Sequence, residues 1–186
     1  MKKIKTVFER NRIPGKNVKV HDVGGHTNWV IEGKGFATRK WDGRAVLVQN
    51  NEIFVRYDCK AGRKAPDNFL PCEESPDPIT GHWPGWVPLQ ATDRPIVESV
   101  AWWKQNRGHL PDGTYEAVGP KIGTRHGANP ENLTEQILVR HGEDILDVPD
   151  RSFNGIKEFL RDKNIEGIVF YYNGEMMKIK KIDFAY

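Results

Sequence analysis

The chain reads as an α+β fold with two largely antiparallel sheets and flanking helices, because runs of strands are broken by single helices rather than alternating with them. Three observations carry this expectation. Short runs rich in Val, Ile and aromatic residues recur at 36–40, 45–49 and 53–57. Two segments, opening at Asp93 and at Ser152, repeat apolar residues at helical spacing. An Asn173-Gly174 pair separates two alternating runs, 167–172 and 175–181, and is the strongest hairpin signal in the chain.

Each element has its own reason. Asn50-Asn51 makes a turn between the strands 45–49 and 53–57. From 66 to 88 the pattern collapses. Six of the twelve prolines lie there, together with Trp83 and Trp86, so an irregular Pro/Trp loop is expected over 66–90. Asp93 can cap the next helix, Pro95 suits its first turn, Ile96, Val100 and Trp103 share a face, and Gly108 can end it. Asp112-Gly113 turns into a strand at 114–118, and 137–139 is another. The helix 152–163 puts Phe153, Ile156, Phe159 and Leu160 on one face.

Composition excludes several classes. The chain has 186 residues, 38% apolar and 28% charged, which fits one globular domain, 1–186, and excludes a disordered, collagen-like or coiled-coil chain. No run of about 18 apolar residues exists, so no membrane partner is expected. No apolar run follows the basic N-terminus, so it is not a secretory signal. The net charge of +3 is unevenly spread: between Lys64 and Arg94 there is no Lys or Arg. Two cysteines, Cys59 and Cys72, without a CxxC motif point to a reducing, cytoplasmic setting. Gly33-Lys34-Gly35 leads into a strand and lacks the third glycine of a dinucleotide loop. No P-loop or kinase signature occurs, and Cys59, Cys72 and His82 match no zinc spacing.

One constellation remains. Lys40-Trp41-Asp42-Gly43 lies between two strands, followed by Arg56, Glu116, Glu166-Gly167 and Lys178-Ile179-Lys180. Side chains two apart on a strand share a face, so Lys178 and Lys180 point one way and Met177 and Ile179 the other. This set suits lysine-dependent nucleotidyl transfer. Attack on an ATP α-phosphate needs a neutral amine, yet a free lysine titrates near 10.4, so only about four in ten thousand are neutral at pH 7. Nearby cations and a metal lower that value and stabilise the phosphate charge. Lys40 is the candidate nucleophile, with Lys178 and Lys180 on the phosphate. Glu166 and Asp42 are candidate metal ligands, and Glu116 and Arg56 are candidates for the sugar.

KWDG, DGTYE, EGIVF and MKIKK follow one another as in the covalent nucleotidyltransferases: ATP-dependent RNA and DNA ligases and mRNA capping enzymes. RYDCKAGR, TGHWPGWVP and GTYEAVGPKIG resemble in particular the small single-domain RNA ligases related to the vertebrate 5′-to-3′ RNA ligase and phage RNA ligases. The likeness covers residues 36–184. It implies an ATP-grasp-like adenylation domain of two packed antiparallel sheets with an ATP cleft between them and no C-terminal OB domain. It implies that Lys40 becomes AMP-lysine and that Arg56 contacts ribose and phosphate. Glu116 and Glu166 take the places of the third and fourth family motifs, Glu166 being metal-linked. Val169 packs on adenine, and Lys178 and Lys180 grip the α-phosphate. Arg39, Gly43 and Arg44 complete the nucleotide-binding set, Arg44 falling one residue earlier than its counterpart in many DNA ligases. The aromatic that stacks on adenine in many relatives is missing between Tyr115 and Phe153, leaving Ile137, Leu138 or Val139 for that place. The reaction implied uses ATP and magnesium or manganese, and RNA with 5′-phosphate and 3′-hydroxyl ends. Arg63, Lys64, Lys121, Arg125 and His126, with Trp83 and Trp86 as stacking surfaces, are candidates to hold that RNA. A minimal DNA ligase and a nucleotide- or RNA-binding module that has lost catalysis are the competing readings.

Overall fold

The computed structural model describes residues 3–10, 19–20, 28–122 and 132–186. In chain order these form β1 (Lys5–Thr6), β2 (Phe36–Lys40), β3 (Arg44–Gln49), β4 (Glu52–Cys59), β5 (Leu70–Pro71), β6 (Trp83–Pro88), α1 (Arg94–Arg107), β7 (Gly113–Val118), β8 (Ile137–Arg140), β9 (Ile145–Leu146), α2 (Phe153–Arg161), β10 (Gly167–Tyr172) and β11 (Glu175–Lys180), closed by a 3-10 turn (Lys181–Asp183). The α+β class is observed, with two sheets and two helices among the described residues. No helix among them is long and apolar enough to cross a membrane. The chain divides into two compact units: Met1–Lys3 with Asp42–His141, and Ile4–Trp41 with Gly142–Tyr186.

The second unit holds a five-stranded sheet, β1-β11-β10-β2-β9, in which β1 runs parallel to β11 and the other pairings are antiparallel. The β10–β11 hairpin turns where expected, with Asn173 (φ 47°) and Gly174 (φ 77°) both left-handed, the backbone that matches the twist of the strands. One face of the sheet, Ala37, Ile168, Phe170 and Ile179, is buried in a core with Ile156 and Leu160 of α2. Phe8, Phe153 and Phe184 fill that core edge to face, with ring centroids 5.0–6.2 Å apart. Ser152 caps α2, its Oγ accepting from the Gly155 amide at 3.0 Å.

The first unit holds a six-stranded antiparallel sheet, β5-β6-β4-β3-β7-β8. Asn50 (φ 54°) and Asn51 (φ 63°) turn β3 into β4. Val46, Val48, Val55, Tyr115, Ala117 and Leu138 point to the α1 side and bury Ile96, Val100 and Trp103 of that helix. Asp93 occupies the N-cap position of α1, but its side chain makes no cap hydrogen bond. Its backbone is not extended (ψ 52°), and its carboxylate instead lies 3.6 Å from the Arg44 guanidinium.

The expected irregular loop over 66–90 is corrected in part. Residues 83–88 are a strand paired with β4 along six positions, from Phe54↔Pro88 to Cys59↔Trp83. Prolines concealed it from a pattern reading, and strand periodicity shows why they are tolerated. The Pro84 carbonyl accepts from Cys72 at 2.9 Å, on the β5 side, so positions 84, 86 and 88 direct their backbone groups away from β4. Trp83, Gly85 and Val87 face β4 with amides intact, so neither proline removes a bond from that pairing. The loop before β6 is tied by Asp77, whose carboxylate accepts from the amides of Thr80 and Ile79 and from Lys3, contacts that hold it well below the usual carboxylate range.

Candidate functional site

Chemistry in the five-stranded unit collects on the sheet face opposite the α2 core. Across it, Lys40 of β2 and Lys180 of β11 both stand opposite Gly167 of β10, and Thr38 and Lys178 both stand opposite Val169. Gly167 leaves no side chain between the two outer lysines. A Cβ there would lie 2.1 Å from the Ile179 carbonyl oxygen, so only glycine fits. Glu166, the preceding residue, reaches both neighbours. Its Oε2 accepts from Lys40 Nζ at 2.5 Å, and its Oε1 pairs with Lys180 Nζ. The carboxylate is 11% exposed and the two lysines 19% and 29%, so these pairs are only partly screened by solvent.

Further residues hold this cluster in place. The Glu166 carbonyl accepts from the Lys181 amide at 2.8 Å. Buried Asp183 accepts from the Lys180 amide at 3.0 Å and pairs with Arg10 at 2.7 Å. Lys178 has its proton affinity lowered to about 8, first by burial and then by Lys40, Lys180 and Arg10, with Glu166 opposing. Arg10, Lys40, Lys178 and Lys180 therefore face the carboxylates of Glu166 and Asp183, an excess of two positive charges suited to a multivalent anion. Val169 is buried on this face beside Lys178. Arg39 is not: it points to the opposite face, with its guanidinium 3.8 Å from the Trp41 ring centroid.

The remaining assigned residues lie in the six-stranded unit. Asp42 is buried. A Cβ on Gly43 would lie 2.1 Å from the Ala117 carbonyl oxygen, so Gly43 permits close approach to β7. Arg44 is half exposed near Asp93. Ala45 stands opposite Glu116, Glu116 opposite Val139, and Arg56 opposite Trp86. By the period of two these occupy the sheet face away from α1, together with Ile137, whereas Leu138 belongs to the α1 core. That removes Leu138 from the residues able to meet adenine. Arg56 donates to Cys72 Sγ at 3.4 Å, and its Cζ lies 5.4 Å from the Trp86 ring centroid. Neither Cys72 nor Cys59 is in a disulfide, and Cys59 donates to the Arg63 carbonyl at 3.3 Å.

Sequence reasoning missed His141, whose Nε2 meets Glu116 Oε2 at 2.9 Å. Its place two residues after Val139 is the signal that β8 periodicity offers. Arg10 and Asp183 were missed too, and no local pattern joins residues so far apart in the chain. The expected stacking surface of Trp86 is corrected, because β6 buries that ring in the sheet. Trp83 is partly exposed, packs on Phe69 and donates to the Glu73 carbonyl at 2.7 Å. Lys64 and Lys121 form exposed ion pairs with Asp67 and Glu98. Arg125 and His126 lie outside the described residues. Among the described residues, no group of three or more His, Cys, Asp and Glu side chains is arranged to hold a metal ion. No protein-family model matches this chain, and no curated protein matches it.

Proposed function

We propose that this chain is an ATP-dependent RNA ligase that self-adenylates on Lys40, transfers AMP to an RNA 5′-phosphate and seals it to a 3′-hydroxyl. The observation that carries this reading is one carboxylate, Glu166, binding the ammonium groups of Lys40 and Lys180 beside the buried Lys178. A purely structural sheet face has no use for three lysines around one acid. A reaction that needs a nucleophilic amine and a clamp for phosphate oxygens uses all of them.

In this reading Glu166 holds Lys40 at 2.5 Å, and the ammonium gives one proton to water to become the neutral amine. The freed amine attacks the ATP α-phosphorus: a P–N bond forms, the bond between that phosphorus and the oxygen bridging to the β-phosphate breaks, pyrophosphate leaves with that oxygen, and the nitrogen's second proton passes to water. Lys178 and Lys180 balance the charge that develops on the non-bridging oxygens. An RNA 5′-phosphate oxygen then displaces Lys40 from phosphorus, and the RNA 3′-hydroxyl displaces AMP. Glu116 and Arg56 take the ribose, Val169 one face of adenine, and Gly43 and Arg44 remain in the nucleotide set. Arg39 points away from Lys40, its guanidinium lying over the Trp41 ring and donating to the Asn164 carbonyl at 3.5 Å. Magnesium is the ion this reading implies, because it binds through one or two carboxylates, substrate phosphates and water. Glu166 would hold it, with Asp42 the other assigned carboxylate, and the ion would neutralise phosphate charge. A reducing, cytoplasmic setting belongs to this reading, in keeping with two cysteines that lack a CxxC motif.

The test is intact-protein mass after incubation with magnesium and ATP, GTP or NAD in separate tubes. One AMP adduct with ATP alone, mapped to Lys40, is expected. No adduct with any nucleotide, from protein free of AMP at the start, overturns the reading in favour of a binding module. Competition between single-stranded RNA ends and nicked DNA then separates RNA from DNA sealing.

A further inference from the structure

The carboxylate of Glu116 does not stand alone on its sheet face. The β7–β8 ladder continues one residue past β8, where the His141 amide donates to the Thr114 carbonyl at 3.0 Å. His141 is thereby placed opposite Thr114, on the same face as Glu116 and as Val139, which stands opposite Glu116. Its Nε2 meets Glu116 Oε2 at 2.9 Å, with the two side chains 21% and 12% exposed. An ionised carboxylate only accepts, so Nε2 carries the hydrogen. The other ring nitrogen, Nδ1, is buried and meets no partner among the described residues. Among the described residues, the Glu116 contact is the one hydrogen bond of the ring, and it orients that carboxylate.

We propose that His141 is a positioning residue for Glu116: it holds Oε2, fixes the carboxylate rotamer and leaves Oε1 to accept from a hydroxyl of a bound nucleotide's ribose. This rests on the reading above, in which Glu116 takes the ribose of ATP. A preset carboxylate gains more from that hydroxyl than one that must be ordered on binding, and loss of such an outer partner typically costs 10–100-fold at the site it orients.

The test is a substrate cycle on the whole protein. The KM and limiting rate of AMP-adduct formation are measured for ATP, 2′-deoxyATP and 3′-deoxyATP, with wild type, His141→Leu and His141→Gln. His141→Leu is expected to raise the KM for ATP roughly tenfold with little change in limiting rate. That penalty should largely vanish with whichever deoxynucleotide lacks the hydroxyl that Glu116 reads. His141→Gln, which keeps an N–H donor near the Nε2 position, should restore most of the ATP affinity. An equal penalty for all three nucleotides makes His141 a structural residue and overturns the proposal, as does an unchanged KM in His141→Leu. A wild-type protein that forms no AMP adduct overturns the ligase reading itself and the proposal with it. Adduct formation by wild type together with a flat nucleotide cycle overturns the positioning role alone.

Discussion

The two units are built on one plan and use it differently. Each is a sheet with one face under a single long helix and the other face carrying polar side chains. On the six-stranded sheet the charges resolve into local pairings: Glu116 with His141, Arg44 with Asp93, and Arg56 with Cys72 and Trp86. On the five-stranded sheet they do not resolve. Three lysines and Arg10 crowd two carboxylates, and one of the lysines, Lys178, loses proton affinity, first through burial and then through its cationic neighbours. Concentrated like charge is destabilising unless something of opposite sign arrives, which is why perturbed groups of this kind mark functional sites. The five-stranded unit thus carries an unbalanced positive cluster, and the six-stranded unit does not.

The hardest test of that contrast is Lys40→Ala. It should abolish adduct formation while circular dichroism stays that of wild type. A persisting stable adduct would show that the nucleophile lies elsewhere. Next in size are Glu166→Gln and Lys180→Ala, each expected to slow adduct formation at saturating ATP by about 10²–10³-fold, the scale of lost transition-state charge stabilisation. Near-normal rates in both would remove the reason for setting the five-stranded unit apart.

Stability measurements sharpen the comparison further. Gly167→Ala drives a Cβ into backbone, 2.1 Å from the Ile179 oxygen, whereas Gly85→Ala in the six-stranded unit meets the Phe69 ring at 2.2 Å and the Leu70 carbonyl oxygen at 2.6 Å. The ring can move, and β5 is a two-residue edge strand that can shift with it, whereas Ile179 is held inside a six-position ladder. The expected losses in urea unfolding are about 3 kcal/mol for the first and about 1 kcal/mol for the second. Equal losses would mean that both sheets yield alike.

The smallest expected effect is a gain. Lys178 binds its proton with a value of about 8 in the folded protein and near 10.5 when unfolded. The folded state therefore holds fewer protons between those values, stability rises with pH across that window, and the penalty is greatest below pH 8. Lys178→Met should stabilise the protein by about 1 kcal/mol at pH 7, less than the full shift because solvent screens part of it, and the gain should fade as pH rises from 8 towards 10.5. A gain unchanged across that range would mean that apolar packing, and not relieved charge, is responsible.

Much of this was legible in the sequence. The hairpins at Asn50-Asn51 and Asn173-Gly174, the buried faces of both helices and the shared face of Lys178 and Lys180 all come from periods of 2 or 3.6 and from residues that accept a left-handed backbone. The strand 83–88 was not legible, because whether Pro84 and Pro88 break a ladder depends on which neighbour their backbone groups face.

What the sequence determined by itself is which side chains share a face within one strand or helix. That is a local property, set by backbone geometry over a few residues. Which strands lie beside one another was decided only in the tertiary structure. Lys40 meets Glu166 across 126 residues of chain, Arg10 meets Asp183 across 173, and His141 meets Glu116 across 25. Such meetings follow from strand order and register, which bury both apolar faces at once, and no short stretch of sequence holds the information to specify them.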